Sequence, residues 1–167
     1  VEVAKRIIQR YNLNQNSKFL DVGCAKGFLM SDLKNAIPKL DVYGIDISLY
    51  AKEHANENVK DNISISNCIE IPFPNDYFDA VTAFNTIHNL DYEGCKRAIL
   101  EMKRVCKNKN NIFIQVDAYT NDNEKKVFED WLLTAKTYLK PQEWQELFKE
   151  ISYSGDFFWT IIEFNPD

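Results

Sequence analysis

The run from Asp21 to Gly27, DVGCAKG, combines an acidic side chain with two glycines, in a chain with only 5 glycines, about 3% against a typical ~7%. Gly23 allows a sharp turn, and Gly27 allows a following helix to pack close to a ligand. The N–H groups at such a helix start favour an anionic group such as a carboxylate or phosphate. Nineteen residues beyond Gly27, Asp46 can accept hydrogen bonds from both hydroxyls of a ribose. The glycine spacing G-x-x-x-G differs from the dinucleotide pattern G-x-G-x-x-G.

Alternating strands and helices must position these residues, because apolar segments of both periods flank them. The segment order β-α-β-α-β-β-α-β predicts an α/β fold, a three-layer Rossmann-like sheet, mostly parallel, with helices on both faces and right-handed crossovers. We also expect an antiparallel strand near the C-terminus. The predicted strands span residues 18–22, 41–46, 63–66, 78–84, 112–116 and 157–164; the predicted helices span residues 2–12, 28–37, 49–58, 95–106, 122–138 and 141–151.

Composition narrows the class of protein. A chain of 167 residues buries about 70% of its unfolded surface, enough for one core, so we expect a single domain over residues 1–167. It begins with Val1 rather than methionine, so we expect part of the N-terminus to be missing. The net charge of −5 argues against nucleic-acid binding and against anionic membranes.

Cysteine and histidine usage indicates no metal site. The four cysteines form no CxxC pair and no ligand spacing with the two histidines, so reduced thiols in a cytoplasmic protein are expected. No apolar run approaches the ~18 residues that span a bilayer. We therefore expect no membrane partner. We also expect a monomer or homodimer.

Four segments, in order, resemble the class I S-adenosylmethionine-dependent methyltransferases, in particular the small-molecule subgroup. FLDVGCAKGF resembles the glycine motif of that family, and YGIDIS its acidic motif. The other two segments resemble the adenine loop with the fourth strand, and the helix with the fifth strand. They are Phe19–Phe28, Tyr43–Ser48, Ile69–Leu90 and Glu101–Asp117.

The resemblance implies S-adenosylmethionine as cofactor and S-adenosylhomocysteine as product. It places Asp21, Gly23, Ala25 and Gly27 in the loop against the methionine part of the cofactor, where the Asp21 carboxylate would meet the ammonium group. It assigns the ribose hydroxyls to Asp46.

The adenine and sulfonium ends are assigned in the same way. Ile47 would pack on the adenine, Asn67 would contact its amino group, and Cys68 would offer its backbone N–H to the ring. Phe84 and Asn85 would lie beside the sulfonium.

Several positions depart from the pattern of the family. Ala25 replaces a glycine, which is easily tolerated if its φ is negative. Asn67 replaces an aspartate and removes a charge, although its side-chain oxygen still accepts hydrogen bonds. Asn110-Asn111 stands where Gly-Gly is usual.

Catalysis is less determined than cofactor binding. His88 follows the fourth strand and could take a proton from the acceptor, and a purely structural His88 is the equal alternative. Tyr11 either closes the substrate pocket or belongs to the core. Trp131 and Tyr138 either shape a lid or belong to the core.

The sequence thus predicts methyl transfer to a small-molecule acceptor by in-line displacement. A cofactor-binding scaffold without turnover and, less favoured, a nicotinamide-dependent oxidoreductase remain alternatives. Neither the acceptor nor the methylated atom follows from the sequence.

Overall fold

A computed structural model of the chain describes residues 1–131 and 134–161. Its centre is a sheet of six strands, and every neighbouring pair runs parallel. The strands are β1 (Lys18–Val22), β2 (Asp41–Asp46), β3 (Ile63–Ile65), β4 (Ala80–Phe84), β5 (Ile112–Asp117) and β6 (Asp156–Thr160). They are ordered β3-β2-β1-β4-β5-β6, so the strand order reverses between β1 and β4. The predicted α/β class and parallel sheet are confirmed.

Helices cover both faces of the sheet. They are α1 (Glu2–Tyr11), α2 (Phe28–Ala36), α3 (Leu49–Glu53), α4 (Tyr92–Val105), α5 (Asp122–Trp131) and α6 (Pro141–Glu150), with short 3-10 helices at Lys60–Asn62 and Ile87–Asn89. Two hydrophobic clusters result, one joining α1 and α2 to the sheet and the other joining α4 and α6 to it. Successive side chains of β1 point to opposite faces of the sheet, so Phe19 belongs to the first cluster and Leu20 to the second.

Local chemistry explains where the helices begin. Ser48 accepts a hydrogen bond from the Ala51 N–H and caps α3 (3.1 Å), and Asp91 accepts one from the Gly94 N–H and caps α4 (2.7 Å). Pro141 occupies the first turn of α6, where its missing N–H costs nothing.

The C-terminal strand corrects one prediction. β6 pairs with β5 in parallel, with Phe113 opposite Asp156 and Asp117 opposite Thr160, so the expected antiparallel strand was wrong. The physical reason is the connection: α6 returns the chain to the edge from which β5 starts, and β6 therefore runs in the same direction.

Several predicted boundaries also differ. α3 ends at Glu53, five residues early, and α5 ends at Trp131 instead of residue 138. The predicted last strand extended to residue 164; β6 ends at Thr160, and residues 162–164 lie outside the described part. Within the described ranges, no helix combines the length and the apolar character needed to cross a bilayer.

Candidate functional site

The loop after β1 is tied to the end of β2. The N–H groups of Gly23 and Cys24 both donate to the Ile45 carbonyl, at 2.8 and 3.1 Å. Gly23 has a φ of +73°, and a Cβ there would lie 2.0 Å from Thr86 Oγ1. Glycine is therefore required at this position for two reasons: the backbone is left-handed, and it lies too close to the segment after β4 for a side chain.

Gly27 ends the same loop in the left-handed conformation, with a φ of +71°. A Cβ there would approach Val59 Cγ2 at 2.8 Å. The close packing that Gly27 permits is thus against the segment before β3.

Asp46 joins the two motifs that the sequence singled out. Its carboxylate accepts from the Ala25 N–H at 2.9 Å and from the Ser48 N–H at 2.8 Å. A carboxylate offers about four lone-pair sites, so capacity remains for two further donors. The acidic residue at the end of β2 therefore shapes the glycine loop and still faces open space.

A cavity of about 490 Å³ opens at this edge of the sheet, where the strand order reverses. Ligands of open α/β sheets bind at such points. Eight of the ten residues assigned to the cofactor line it: Gly23, Ala25, Asp46, Ile47, Asn67, Cys68, Phe84 and Asn85.

Six further residues line the same cavity and were not predicted: Ile45, Ser66, Thr86, Asn89, Leu90 and Lys136. Most of them are direct neighbours of predicted residues, so their position after a strand was a usable signal. Lys136 gave no such signal, because its segment is placed by hydrogen bonds to a residue that is distant in the sequence. The N–H groups of Lys136 and Thr137 both donate to the His88 carbonyl at 3.0 Å.

Asp21 lies beneath the cavity and does not line it. Its carboxylate is buried and accepts from Thr82 Oγ1 at 3.0 Å. Burial raises the pKa of Asp21 to about 7, although the Thr82 hydroxyl opposes the shift.

The far wall begins where β4 ends. Asn85 has a φ of +49°, and its N–H donates to the Gln115 carbonyl at 2.9 Å. Opposite, Asn67 Oδ1 accepts from the Ile69 N–H at 3.2 Å, which fixes the loop that follows β3. Burial raises the pKa of the neighbouring Cys68 thiol to about 11, so the thiol is neutral near pH 7.

His88 lies outside the cavity lining and is 4% exposed. Its Nδ1 accepts from the Asp117 N–H at 3.1 Å, and its Nε2 lies 3.5 Å from Asp117 Oδ2. Burial lowers the pKa of His88, with Asp117 opposing the shift, so the ring is neutral near pH 7. These contacts link the 3-10 helix after β4 to the end of β5. Proton transfer by His88 stays a prediction.

Three aromatic residues, Tyr11, Tyr138 and Trp131, were predicted either to shape the substrate pocket or to belong to the core. The buried Tyr11 donates its hydroxyl to Asp156 Oδ2 at 3.0 Å and lines a second cavity. Tyr138 is half-buried next to the bridge between Ala118 and Leu139. The side chain of Trp131 lies outside the described part of the structure.

The family model of the methyltransferase domain matches residues 20–114, more than half of the chain. The chain belongs to this family. The resemblance to class I S-adenosylmethionine-dependent methyltransferases is thereby confirmed, and S-adenosylmethionine is the cofactor of the family. The G-x-x-x-G loop of this methyltransferase domain accordingly belongs to the methyltransferase pattern, and the nicotinamide alternative is dropped.

Two curated relatives and one solved structure illustrate the likeness. The demethylmenaquinone methyltransferase of Anoxybacillus flavithermus is 32% identical over 111 residues, which cover 62% of this chain and 46% of that protein. The phosphoethanolamine N-methyltransferase of Plasmodium falciparum is 26% identical over 157 residues, covering 90% and 50%. The YcgJ protein of Bacillus subtilis superposes with a TM-score of 0.72 at 19% identity, covering 90% and 67%, which shows a shared fold.

This methyltransferase domain spans between 41% and 50% of the length of the curated relatives that it matches.

Proposed function

We propose that the chain, as a single domain, catalyses methyl transfer from S-adenosylmethionine to a small-molecule acceptor. The observation that carries the proposal is the cavity at the reversal of strand order, since eight residues assigned by resemblance line it together. Its volume of about 490 Å³ lies in the usual range for small-molecule sites, roughly 300–1,000 Å³.

The residues present suit the cofactor. Asp46 keeps acceptor capacity for two ribose hydroxyls, and Ile47 presents a side chain that is 74% exposed to pack on an adenine face. Asn67 and the Cys68 N–H would meet the edge of the adenine. The ionised form of Asp21 would be favoured by an ammonium group nearby.

When bound, the cofactor supplies a methyl group activated by a positively charged sulfur. An acceptor's lone pair would take up this methyl group, the electrons of the broken carbon–sulfur bond would remain on sulfur, and the acceptor's proton would pass to water. The contribution of the protein is to position the two reactants, and positioning alone supplies up to about 7–11 kcal/mol in intramolecular reactions. Phe84 and Asn85 would hold the reacting centre, because both line the cavity at the end of β4.

The small-molecule acceptor is supported by the names of the relatives. One acts on demethylmenaquinone and the other on phosphoethanolamine, and both are small molecules.

Calorimetric titration with S-adenosylmethionine tests the site. We expect Asp46→Ala to weaken binding by at least about 100-fold, because it removes two charge-assisted hydrogen bonds of roughly 1.5–3 kcal/mol each. Asp41→Ala, at the exposed opposite end of the same strand, is the matched control and should bind as the wild type does. Equal affinities for the two variants would contradict the site.

Turnover needs a second measurement, the release of S-adenosylhomocysteine with a panel of phenolic, amine and thiol acceptors. Release with at least one acceptor supports an enzyme. Tight cofactor binding without release across the whole panel would instead support the scaffold alternative.

A further inference from the structure

A second cavity, of about 440 Å³, lies on the face of the sheet that α1 covers. We call it the α1 groove. One wall is a single face of α1, and the other wall consists of side chains from β4, β5 and β6. Its lining residues are Val3, Arg6, Ile7, Arg10, Tyr11, Phe84, Phe113, Gln115, Asp156 and Phe158.

The spacing of these residues explains why their side chains face the groove from one side of the helix and one side of the sheet. The helix residues recur at three- and four-residue intervals, and the strand residues alternate, as in 113 and 115 or 156 and 158. Three aromatic rings therefore stand on the sheet face. The centroids of Phe84 and Phe113 lie 5.0 Å apart, and Phe158 remains 58% exposed. Phe84 and Phe113 are half-buried against the cluster of α1 and α2, so the aromatic surface open in the groove is Phe158 together with the exposed parts of these two rings.

One end of the groove is closed by polar groups that satisfy each other. Arg10 donates from Nε and from a terminal nitrogen to the two oxygens of Asp156, both at 2.7 Å. Tyr11 donates to the same carboxylate. The Arg10 guanidinium accordingly lowers the pKa of Asp156. The Asp156 carboxylate is therefore occupied by its partners within this cluster. Arg6, a further charged residue of the lining, lies 3.4 Å from Glu2, and the rest of the lining is largely apolar.

Gln115 supplies an uncharged polar contact from β5 in the groove. Its Nε2 donates to Thr160 Oγ1 at 2.9 Å, and within the described residues its amide oxygen receives no donor. A ligand hydroxyl can therefore donate to that oxygen.

The other end of the groove meets the cofactor cavity. Phe84 lines both, as the last residue of β4. A molecule lying along the groove would thus reach the place where Phe84 and Asn85 face the cofactor.

We propose that the α1 groove binds the methyl acceptor, and that the acceptor is a planar aromatic molecule bearing a hydroxyl group. The proposal rests on the proposed function, whose cofactor would occupy the neighbouring cavity. Rings stack on Phe84, Phe113 and Phe158, and the hydroxyl is oriented by Gln115. Offset or edge-on ring contacts of this kind contribute about 0.5–1.5 kcal/mol each.

The first test uses 1-naphthol as the probe, with its own fluorescence as the readout. We expect saturable binding to the wild type, weakened at least about fivefold by Phe158→Ala, since one aromatic contact of about 1 kcal/mol corresponds to that factor. The matched control is Phe157→Ala. Phe157 is the adjacent residue, 42% exposed, and its ring packs on the opposite face against Phe148 at 5.4 Å. It should leave 1-naphthol binding unchanged.

Recognition of the hydroxyl has its own comparison. Gln115→Leu should weaken 1-naphthol binding several-fold and leave the binding of 1-methoxynaphthalene, which cannot donate, unchanged. Equal losses for both probes would overturn the role of Gln115.

The remaining outcomes separate this proposal from the proposed function. Naphthol and S-adenosylmethionine should bind together; competition between them would place the probe in the cofactor cavity and overturn the groove assignment. A wild-type dimer in sedimentation that Phe158→Ala converts to a monomer would make the groove a contact between two copies, and would also overturn it. If the wild-type protein binds 1-naphthol but does not bind S-adenosylmethionine, that result would contradict the proposed function and leave the groove assignment standing.

Discussion

Ala25 adopts a φ of +47°, a conformation that suits glycine. From the sequence, alanine is easily tolerated here only if its φ is negative, and the structure does not meet that condition. The reason lies in its N–H, which donates to Asp46 and can do so because the loop turns left-handed between Gly23 and Gly27. The methyl group at this position therefore strains the loop that defines the cavity.

Replacing Ala25 with glycine should stabilise the protein. A left-handed L-residue costs about 1–2 kcal/mol, of which the greater freedom of glycine in the unfolded chain cancels about half. We expect Ala25→Gly to raise Tm by about 2 °C. In thermal unfolding the matched control is Ala51→Gly in α3, which should lower Tm because glycine is unfavourable in helices. A lower Tm for both variants would contradict the strain.

Asp21 should make stability depend on pH. Its pKa is about 7 in the folded protein and near 3.8 in the unfolded chain. Between these values the folded state keeps a proton that the unfolded state has released, so the free energy of unfolding falls as pH rises. Asp21→Asn does not titrate and keeps an oxygen for Thr82. Relative to wild type it should gain nothing near pH 4 and about 2–4 kcal/mol at pH 8.

Urea unfolding at pH 4, 6 and 8 measures this difference. Asp41→Asn, at an exposed position, should stay within about 0.5 kcal/mol of wild type throughout. A difference for Asp21→Asn that does not grow with pH would show that the carboxyl is ionised in the folded state.

At the scale of elements, the segment carrying Lys136 and the 3-10 helix after β4 form one hydrogen-bonded unit. The His88 carbonyl receives two N–H groups from that segment, and Thr137 Oγ1 donates to the Leu90 carbonyl at 2.7 Å. The His88 ring binds the same unit to Asp117 at the end of β5. Part of the cavity wall therefore depends on a histidine that lines no part of it.

His88→Asn tests this link. Asparagine keeps an oxygen near the position of Nδ1, where Asp117 donates, and it does not titrate. Since burial lowers the pKa of His88, the unfolded chain takes up a proton near pH 6.5 that the folded protein refuses, and the free energy of unfolding falls as pH decreases. In urea unfolding, the stability advantage of wild type over His88→Asn should therefore shrink as the pH is lowered from 8 to 5.

Kinetics separate a positioning role from proton transfer. A general base would make His88→Asn lose about 100-fold or more in kcat with an unchanged cofactor affinity. A positioning role predicts weaker binding of S-adenosylmethionine together with a smaller loss in kcat.

The sequence was most informative where one element alone decides the structure. Gly23 and Asp46 follow directly from strands β1 and β2, and parallel strands bring their ends to one edge, so the cavity was predictable. The direction of β6 was not, because a connecting helix, and no residue of the strand, determines it. Lys136 and the tether of His88 were not predictable either, since hydrogen bonds between distant segments place them.

At the scale of the whole molecule, the first helix and the last strand are joined by one carboxylate. Asp156 accepts from Arg10 and Tyr11, residues that precede it by 146 and 145 positions. The Tyr11 side chain is 7% exposed, so its hydroxyl depends on that carboxylate for a partner. The contact closes the α1 groove and fixes α1 against the sheet.

A double-mutant cycle in thermal unfolding should show this coupling. Asp156→Ala leaves the buried Tyr11 hydroxyl without an acceptor, which costs about 1–3 kcal/mol, or roughly 2–4 °C in Tm for each kcal/mol. Tyr11→Phe in the same background removes the unsatisfied group, so the double variant should be more stable than Asp156→Ala alone. If the two single effects simply add, the hydroxyl finds water after the substitution and α1 is held by its apolar face alone.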